Sequence, residues 1–229
     1  MIRFAVLISG RGSNMICLAD AIKECGIAAE ITVVISNRCC TGITQAQDRG
    51  LPTRVIKRES FDTQTEHEAA IAEAIHYHRS GYVFLAGYMA ILSGDFVNLF
   101  AGQIINIHPS LLPAFKGLNT HQRAIDENAA THGVSVHVVT AGLDEGPIIA
   151  QASLPLIASD TADSLEARVL RLEHQIYPFV LLGLAKKLLS LSPEGANWRT
   201  PSSALADAPA TMQHSLSQHL IWPTLTAKK

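Results

Sequence analysis

Phe4-Ala5-Val6-Leu7-Ile8-Ser9-Gly10-Arg11-Gly12-Ser13-Asn14 is the stretch whose reading decides the fold of this chain. An apolar run bounded by serine and glycine reads as a buried strand. Two glycines turn the chain, and Met15–Cys25 beyond them carries helix-compatible spacing. Glycine lets the backbone approach a ligand closely, the amides that open a helix point outward as anion donors, and Ser13 and Asn14 add side-chain donors. A dinucleotide fingerprint would want a third small residue where Met15 stands, and an acid after the second strand where Asn37-Arg38 stand. The junction therefore disfavours a nicotinamide dinucleotide and fits a single phosphate. On this motif alone, a tight turn that binds nothing stays open as well.

The same grammar repeats downstream. Ile31–Ser36, Thr53–Lys57 and Tyr82–Gly87 read as strands, and Gly42–Arg49 and Thr65–His78 as helices between them. A fifth strand, Gln103–His108, stops at Pro109. Such alternation predicts an α/β domain, a mostly parallel twisted sheet with helices on both faces. Val134–Val139 alternates and Pro147–Leu156 comes after a glycine-containing turn, which predicts an antiparallel addition to the sheet near the C-terminal part. Asp160 is expected to cap a helix running from Thr161 to about Ile176, with Pro178 ending or kinking it and a second helix from Phe179 to Leu191. We expect one domain over residues 1–195 and an irregular or partly disordered tail over 196–229, where Ser, Pro, Ala, Thr and Asn lose all periodicity.

With 229 residues, 48% of them hydrophobic, the chain can bury one sizeable core. A net charge of −2 argues against a nucleic-acid binder, and no apolar run approaches the length of a bilayer span. Met1–Ile8 lacks the pattern of a secretory leader. These features point to a cytoplasmic protein acting on small molecules, with neither nucleic acid nor membrane as partner. Cys17, Cys25, Cys39 and Cys40 lack metal-ligand or disulfide spacing and read as free thiols. His76 and His78 lie two apart on a helix, and His121, His132 and His137 fit no ligand pattern, so no metal is expected.

Chemistry concentrates at Asn106-Ile107-His108-Pro109-Ser110-Leu111-Leu112-Pro113. Asn106 and His108 project to the same side of a strand end, and the C-terminal ends of parallel strands border the ligand crevice. An amide donor beside an imidazole suits acyl transfer, which needs a donor aimed at the developing oxyanion and a proton-handling group. A core asparagine with a structural histidine is the plainer alternative. Asp144, in Leu143-Asp144-Glu145-Gly146-Pro147, reads first as a turn residue. Folded over the strand end, it would accept from His108.

Together these motifs resemble the glycinamide ribonucleotide formyltransferase family, over roughly residues 2–195. The resemblance also rests on Leu85-Ala86-Gly87-Tyr88-Met89-Ala90-Ile91-Leu92-Ser93, Gly117–His121, Gly133–His137 and Glu173-His174-Gln175-Ile176-Tyr177-Pro178. It implies a Rossmann-like formyltransferase fold and an enzyme of purine biosynthesis that takes 10-formyltetrahydrofolate as formyl donor. Gly12, Ser13 and Asn14 would hold the substrate phosphate, and Glu173 its ribose. Met89, Ala90, Ile91 and Leu92, with Asn106, Thr140, Ala141, Leu143 and Asp144, would line the folate site. Asn106, His108 and Asp144 would be catalytic, with a loop water relaying a proton, and the family's assemblies imply a possible homodimer.

The chain departs from the family pattern at Ala90, commonly basic, and at Gln64, commonly arginine. Both lie near the expected folate tail, which implies weaker donor binding unless Lys57, Arg58 or Arg11 compensates. Asn119, commonly histidine, and the loop Ala114-Phe115-Lys116-Gly117 differ too. Methionyl-tRNA formyltransferase would carry an additional C-terminal barrel, and formyltetrahydrofolate hydrolase usually begins with a regulatory domain. A non-catalytic folate or phosphoribosyl binder would have no need of the trio.

Overall fold

Nearly every apolar run becomes a strand and most stretches of helical spacing a helix, but the expected helix from Phe179 to Leu191 ends at Ala185, and Leu189–Ser192 is a strand. The computed structural model describes residues 1–223. The first half runs β1 (Ile2–Ile8), α1 (Ser13–Glu24), β2 (Ala29–Ser36), α2 (Thr41–Asp48), β3 (Thr53–Val55), α3 (Gln64–Tyr77), β4 (Tyr82–Leu85), α4 (Gly94–Leu99) and β5 (Ile104–His108). Then come α5 (Thr120–Asp126), β6 (Thr131–Val138), β7 (Ile148–Pro155), α6 (Ala162–Ala185), β8 (Leu189–Ser192), β9 (Gly195–Trp198), α7 (Pro201–Ala206), α8 (Ala210–His219) and β10 (Leu220–Trp222).

One eight-stranded sheet has the order β10-β7-β6-β5-β4-β1-β2-β3. Its first five strands in sequence are mutually parallel, whereas β6, β7 and β10 each pair antiparallel with a neighbour. Strand alternation sends Phe4, Val6, Ile8, Ile105 and Ile107 toward α1 and α6, and Ala5, Leu7 and Ile104 toward α3 and α4. Both faces are therefore covered, as the sequence predicts. No helix among the described residues is long and apolar enough to cross a membrane.

Two expectations are corrected. The pair of helices broken at Pro178 is one helix, α6, with Pro178 inside it. Proline has no N–H to give the carbonyl four residues back, and here the Cys17 thiol donates to that carbonyl, His174 O, at 3.0 Å. Burial pushes the Cys17 thiol up to about 12, which keeps it protonated as a donor. The N-cap of α6 is Thr161, whose hydroxyl accepts from Ser164 N, while Asp160 accepts from Ile157 N instead.

The segment beyond 195 is structured as far as it is described. Trp198 stacks on Phe179 with ring centroids 5.0 Å apart and donates to Ile149 O at 2.9 Å, which pins the β8–β9 hairpin to the body. Ala204, Leu205, Ala208, Met212 and Leu216 are buried in the main core, and β10 adds a strand beside β7. Short apolar contributions from two small helices carry too little periodicity to be seen in sequence. Residues 224–229 of the expected tail lie outside the described residues.

Candidate active site

The sheet order reverses between β1 and β4: the chain moves outward through β2 and β3, then returns to place β4 on the other side of β1. Loops leaving the ends of β1 and β4 part there, and the topology opens a ligand crevice between them. A cleft of about 340 Å³ occupies the place, lined by Ser9 through Asn14, Arg38, Gly87, Met89, Pro109 and Glu173 among others. Gly12 is the N-cap of α1 at φ 76°, and no side chain caps the helix. A Cβ at Gly12 would stand 3.1 Å from Gly42 Cα, so close packing and the left-handed backbone both select glycine. The first-turn amides of α1 thus lie at the cleft beside Ser13 and Asn14.

Asn14 Nδ2 donates to Glu173 Oε2 at 2.6 Å, and both residues are buried. Asn14 Oδ1 has no hydrogen-bond partner among the described residues. Burial raises the Glu173 carboxyl above its usual range, against the opposing effect of the Asn14 hydrogen bond. The structure thus brings Gly12, Ser13, Asn14 and Glu173 to one cleft: amide donors at one end, a carboxylate and an amide oxygen at the other.

At the end of β5, Asn106 and His108 share the face occupied lower down by Ile104. The antiparallel β6 sets His137 directly opposite Asn106. Asn106 Nδ2 lies 3.1 Å from His137 Nε2, and His137 Nδ1 lies 2.9 Å from Val138 O. The His137 ring therefore donates through Nδ1 and accepts the Asn106 amide through Nε2. Burial lowers the pKa of His137, consistent with that neutral tautomer. The loop after β6 folds back over this face and holds Asp144 at φ 51°. Asp144 Oδ2 accepts from Gly117 N at 2.9 Å and stands 3.4 Å from His108 Nδ1; Oδ1 is 3.7 Å from His137 Nε2. His108 Nε2 donates to Phe115 O at 3.0 Å. The side chains of His108 and Asp144 are 8% and 9% exposed. Asn106 and His108, two apart on β5, and Asp144, from the loop beyond β6, meet in one largely buried cluster that His137 bridges.

His137 is the member that sequence reading passed over. Its signal was present in Val134-Ser135-Val136-His137-Val138, where polar residues alternate along a strand whose other face is apolar. Ser135 belongs to the same series: its hydroxyl donates to Ser110 O and accepts from Leu112 N, holding the loop after β5.

Apart from Asn106 on β5, the expected folate residues fall on two neighbouring loops. Met89, Ile91 and Leu143 expose their side chains, while Leu92 is buried in the core. A Cβ at Gly94 would lie 3.7 Å from Ala141 Cβ, so the loop bearing Thr140, Ala141, Leu143 and Asp144 abuts the one bearing Met89 to Leu92. Gln64 donates to Ile91 O at 3.0 Å and to Glu68 Oε1 at 2.9 Å, and Glu68 accepts from Ser93 N and Ser93 Oγ. Gln64 thus ties α3 to the loop. Among the described residues, no group of three or more His, Cys, Asp or Glu is arranged to hold a metal.

Helix-opening amides at a switch point, with an amide–imidazole–carboxylate cluster two strands along the same sheet, are an arrangement suited to an α/β group-transfer enzyme. The formyl transferase family pattern matches residues 2–181, and the chain belongs to that family. It is 41% identical over 194 residues to the phosphoribosylglycinamide formyltransferase of Escherichia coli (strain K12), covering 84% of this chain and 91% of that protein. The glycinamide ribonucleotide transformylase 1 of Symbiobacterium toebii has the same fold, with a TM-score of 0.82 and 38% identity over 86% of this chain and 94% of that one. The trifunctional purine biosynthetic protein adenosine-3 of Bos taurus is 41% identical over 84% of this chain, which spans 19% of that protein's length.

Proposed function

We propose that this chain transfers the formyl group of 10-formyltetrahydrofolate to the amine of glycinamide ribonucleotide. The observation that carries the reading is the convergence of Asn106, His108 and Asp144 at the end of β5, whose Ile107 and following Pro109 line the phosphate-sized cleft that begins at Gly12–Asn14. Gly12, Ser13 and Asn14 hold the phosphate, Glu173 accepts from the ribose hydroxyls, and the two exposed apolar loops at Met89–Ile91 and Leu143 flank the folate. The two relatives of similar length are named for transfer to this substrate.

In the transfer, the amine nitrogen attacks the formyl carbon; a C–N bond forms and the carbonyl pair moves onto oxygen. One N–H of Asn106 is engaged by His137, and its other N–H is left to donate to that oxygen. His108 exchanges Phe115 O for the same oxygen, and Asp144 supports the positive ring. The bond from the formyl carbon to the folate nitrogen then breaks, and the proton shed by the amine passes to that nitrogen through the His108–Asp144 pair. Each oxyanion donor is worth about 10²–10³ in rate. The enzyme works as a cytoplasmic protein and assembles as a homodimer in this reading, with no metal in its chemistry.

The test is incubation of the protein with glycinamide ribonucleotide and 10-formyltetrahydrofolate while monitoring folate absorbance. Folate release that needs the amine is the expected result. Release without the amine indicates hydrolysis, no release indicates a binder, and either defeats the proposal.

A further inference from the structure

The cradle amides do not match the charge they are asked to hold. A helix N-terminus contributes roughly half a positive charge, whereas a phosphomonoester carries about −1.5 to −2 near neutral pH. The same cleft also contains Glu166 and Glu173. A full cation is needed, and two arginines line the cleft, Arg11 and Arg38.

Arg11 is already matched and loosely placed: its Nη2 lies 3.5 Å from Glu166 Oε1, and its side chain is 83% exposed. Arg38 is fixed. Its Nε donates to Ser9 O at 2.6 Å, and its own carbonyl accepts from Ser36 Oγ at 2.6 Å. Its neighbour Asn37 accepts from Ser9 Oγ at 2.8 Å. The guanidinium is thereby stitched from the end of β2 to the start of the cradle turn. Among the described residues, no hydrogen bond or ion pair engages its Nη1 or Nη2. Those nitrogens carry four N–H donors in the planar fork that suits phosphate oxygens.

We propose that Arg38 reads the phosphate charge of the amine substrate and sets the preference for a phosphorylated over an unphosphorylated ribosyl amine. The inference rests on the reading of the cleft as a phosphoribosyl site. The experiment compares wild type, Arg38→Gln, Arg38→Lys and Arg11→Gln, using glycinamide ribonucleotide and its dephosphorylated riboside as amines. The ratio of kcat/KM between the two substrates is expected to fall about 10- to 100-fold in Arg38→Gln, the worth of one charge-assisted contact. It recovers in part in Arg38→Lys and changes little in Arg11→Gln, and KM for the formyl donor is unmoved. A structural role through Ser9 would depress both substrates equally and leave the ratio intact, which overturns the proposal. A ratio that collapses in Arg11→Gln but not in Arg38→Gln overturns it too. Calorimetric titration with inorganic phosphate separates the two levels of the argument. If wild type fails to turn over the ribonucleotide yet its phosphate affinity drops in Arg38→Gln, the proposed function falls and the Arg38 assignment stands. Unchanged phosphate affinity defeats the assignment.

Discussion

Asp144→Asn isolates the charge of the proposed catalytic cluster from its shape. Asparagine tolerates the left-handed backbone that Asp144 adopts at φ 51°. Its amide oxygen can keep the 2.9 Å bond from Gly117 N, so the loop should stay where it is. The loss is a carboxylate 3.4 Å from His108 Nδ1. With an effective dielectric of about 20, a unit pair at that separation is worth about 5 kcal/mol. Only part of that reaches the transition state, since the asparagine dipole retains some attraction and the oxyanion lies beyond the ring. We expect kcat to fall by about 10²–10³, a loss of about 3–4 kcal/mol. KM for both substrates and the melting temperature should hardly move. Steady-state kinetics by folate absorbance, alongside thermal unfolding of the same preparation, measures all of these. A kcat within a few-fold of wild type at unchanged Tm would show that the carboxylate plays no part in transfer.

Glu173→Gln should raise KM for glycinamide ribonucleotide without changing KM for the formyl donor. It should also raise Tm, because the raised carboxyl pKa means that stability is lost as pH rises through it, and glutamine removes that liability; a lower Tm would contradict this. His132 is fully buried, with His121 Nδ1 3.2 Å from its Nε2, and burial pushes its pKa down to about 4. The unfolded chain therefore binds the extra proton first, and stability present above pH 6.5 is lost as pH falls toward 4, by about 3 kcal/mol in all. Urea titrations across that window should show the slope in wild type and a flatter one in His132→Gln; parallel slopes refute the assignment. Truncation after Arg199 removes Leu205, Met212 and Leu216 from the core and should lower Tm. It should leave kcat intact, since among the described residues none beyond Glu173 lines the cleft. A loss of kcat in folded, truncated protein would implicate the extension in the site.

The parallel half of the sheet was legible because its information is local. Phe4–Ile8 or Tyr82–Leu85 announces a strand by composition, and the Gly10–Gly12 turn announces the helix behind it. The positions of Asn106 and His108 were legible for the same reason, since strand alternation puts them on one side. His137 was not, because its role depends on register: only the β5–β6 pairing places it against Asn106. Asp144 was recoverable as a candidate through family resemblance, yet its sequence neighbourhood reads as an ordinary turn. The helices after Thr200 failed to register because burial there comes from a few small or medium residues docking on a surface already made, and isolated apolar residues leave no period to read.

Pro178 shows how a sound local rule yields to a distant partner, and how the protein gains from the exception. The freed carbonyl of His174 would be a cost if left unpaired in the interior, and Cys17 supplies the donor across 157 positions of sequence. Asn14 and Cys17 are three apart on α1, so both face α6, where they meet Glu173 and His174. Two rungs therefore lock the helix whose N-terminus forms the proposed phosphate cradle to the helix that carries the proposed ribose acceptor. Between those helices and the sheet, Tyr177 places its hydroxyl 2.8 Å from Leu85 O and 3.1 Å from Ile105 O, reaching the strand that ends in Asn106 and His108. A helix broken at Pro178 would still have room for Glu173. It would lose the continuous rod that holds the proposed cradle, the proposed acceptor and the strand of Asn106 and His108 in one frame, and the proposed direct transfer between two bound substrates depends on that frame.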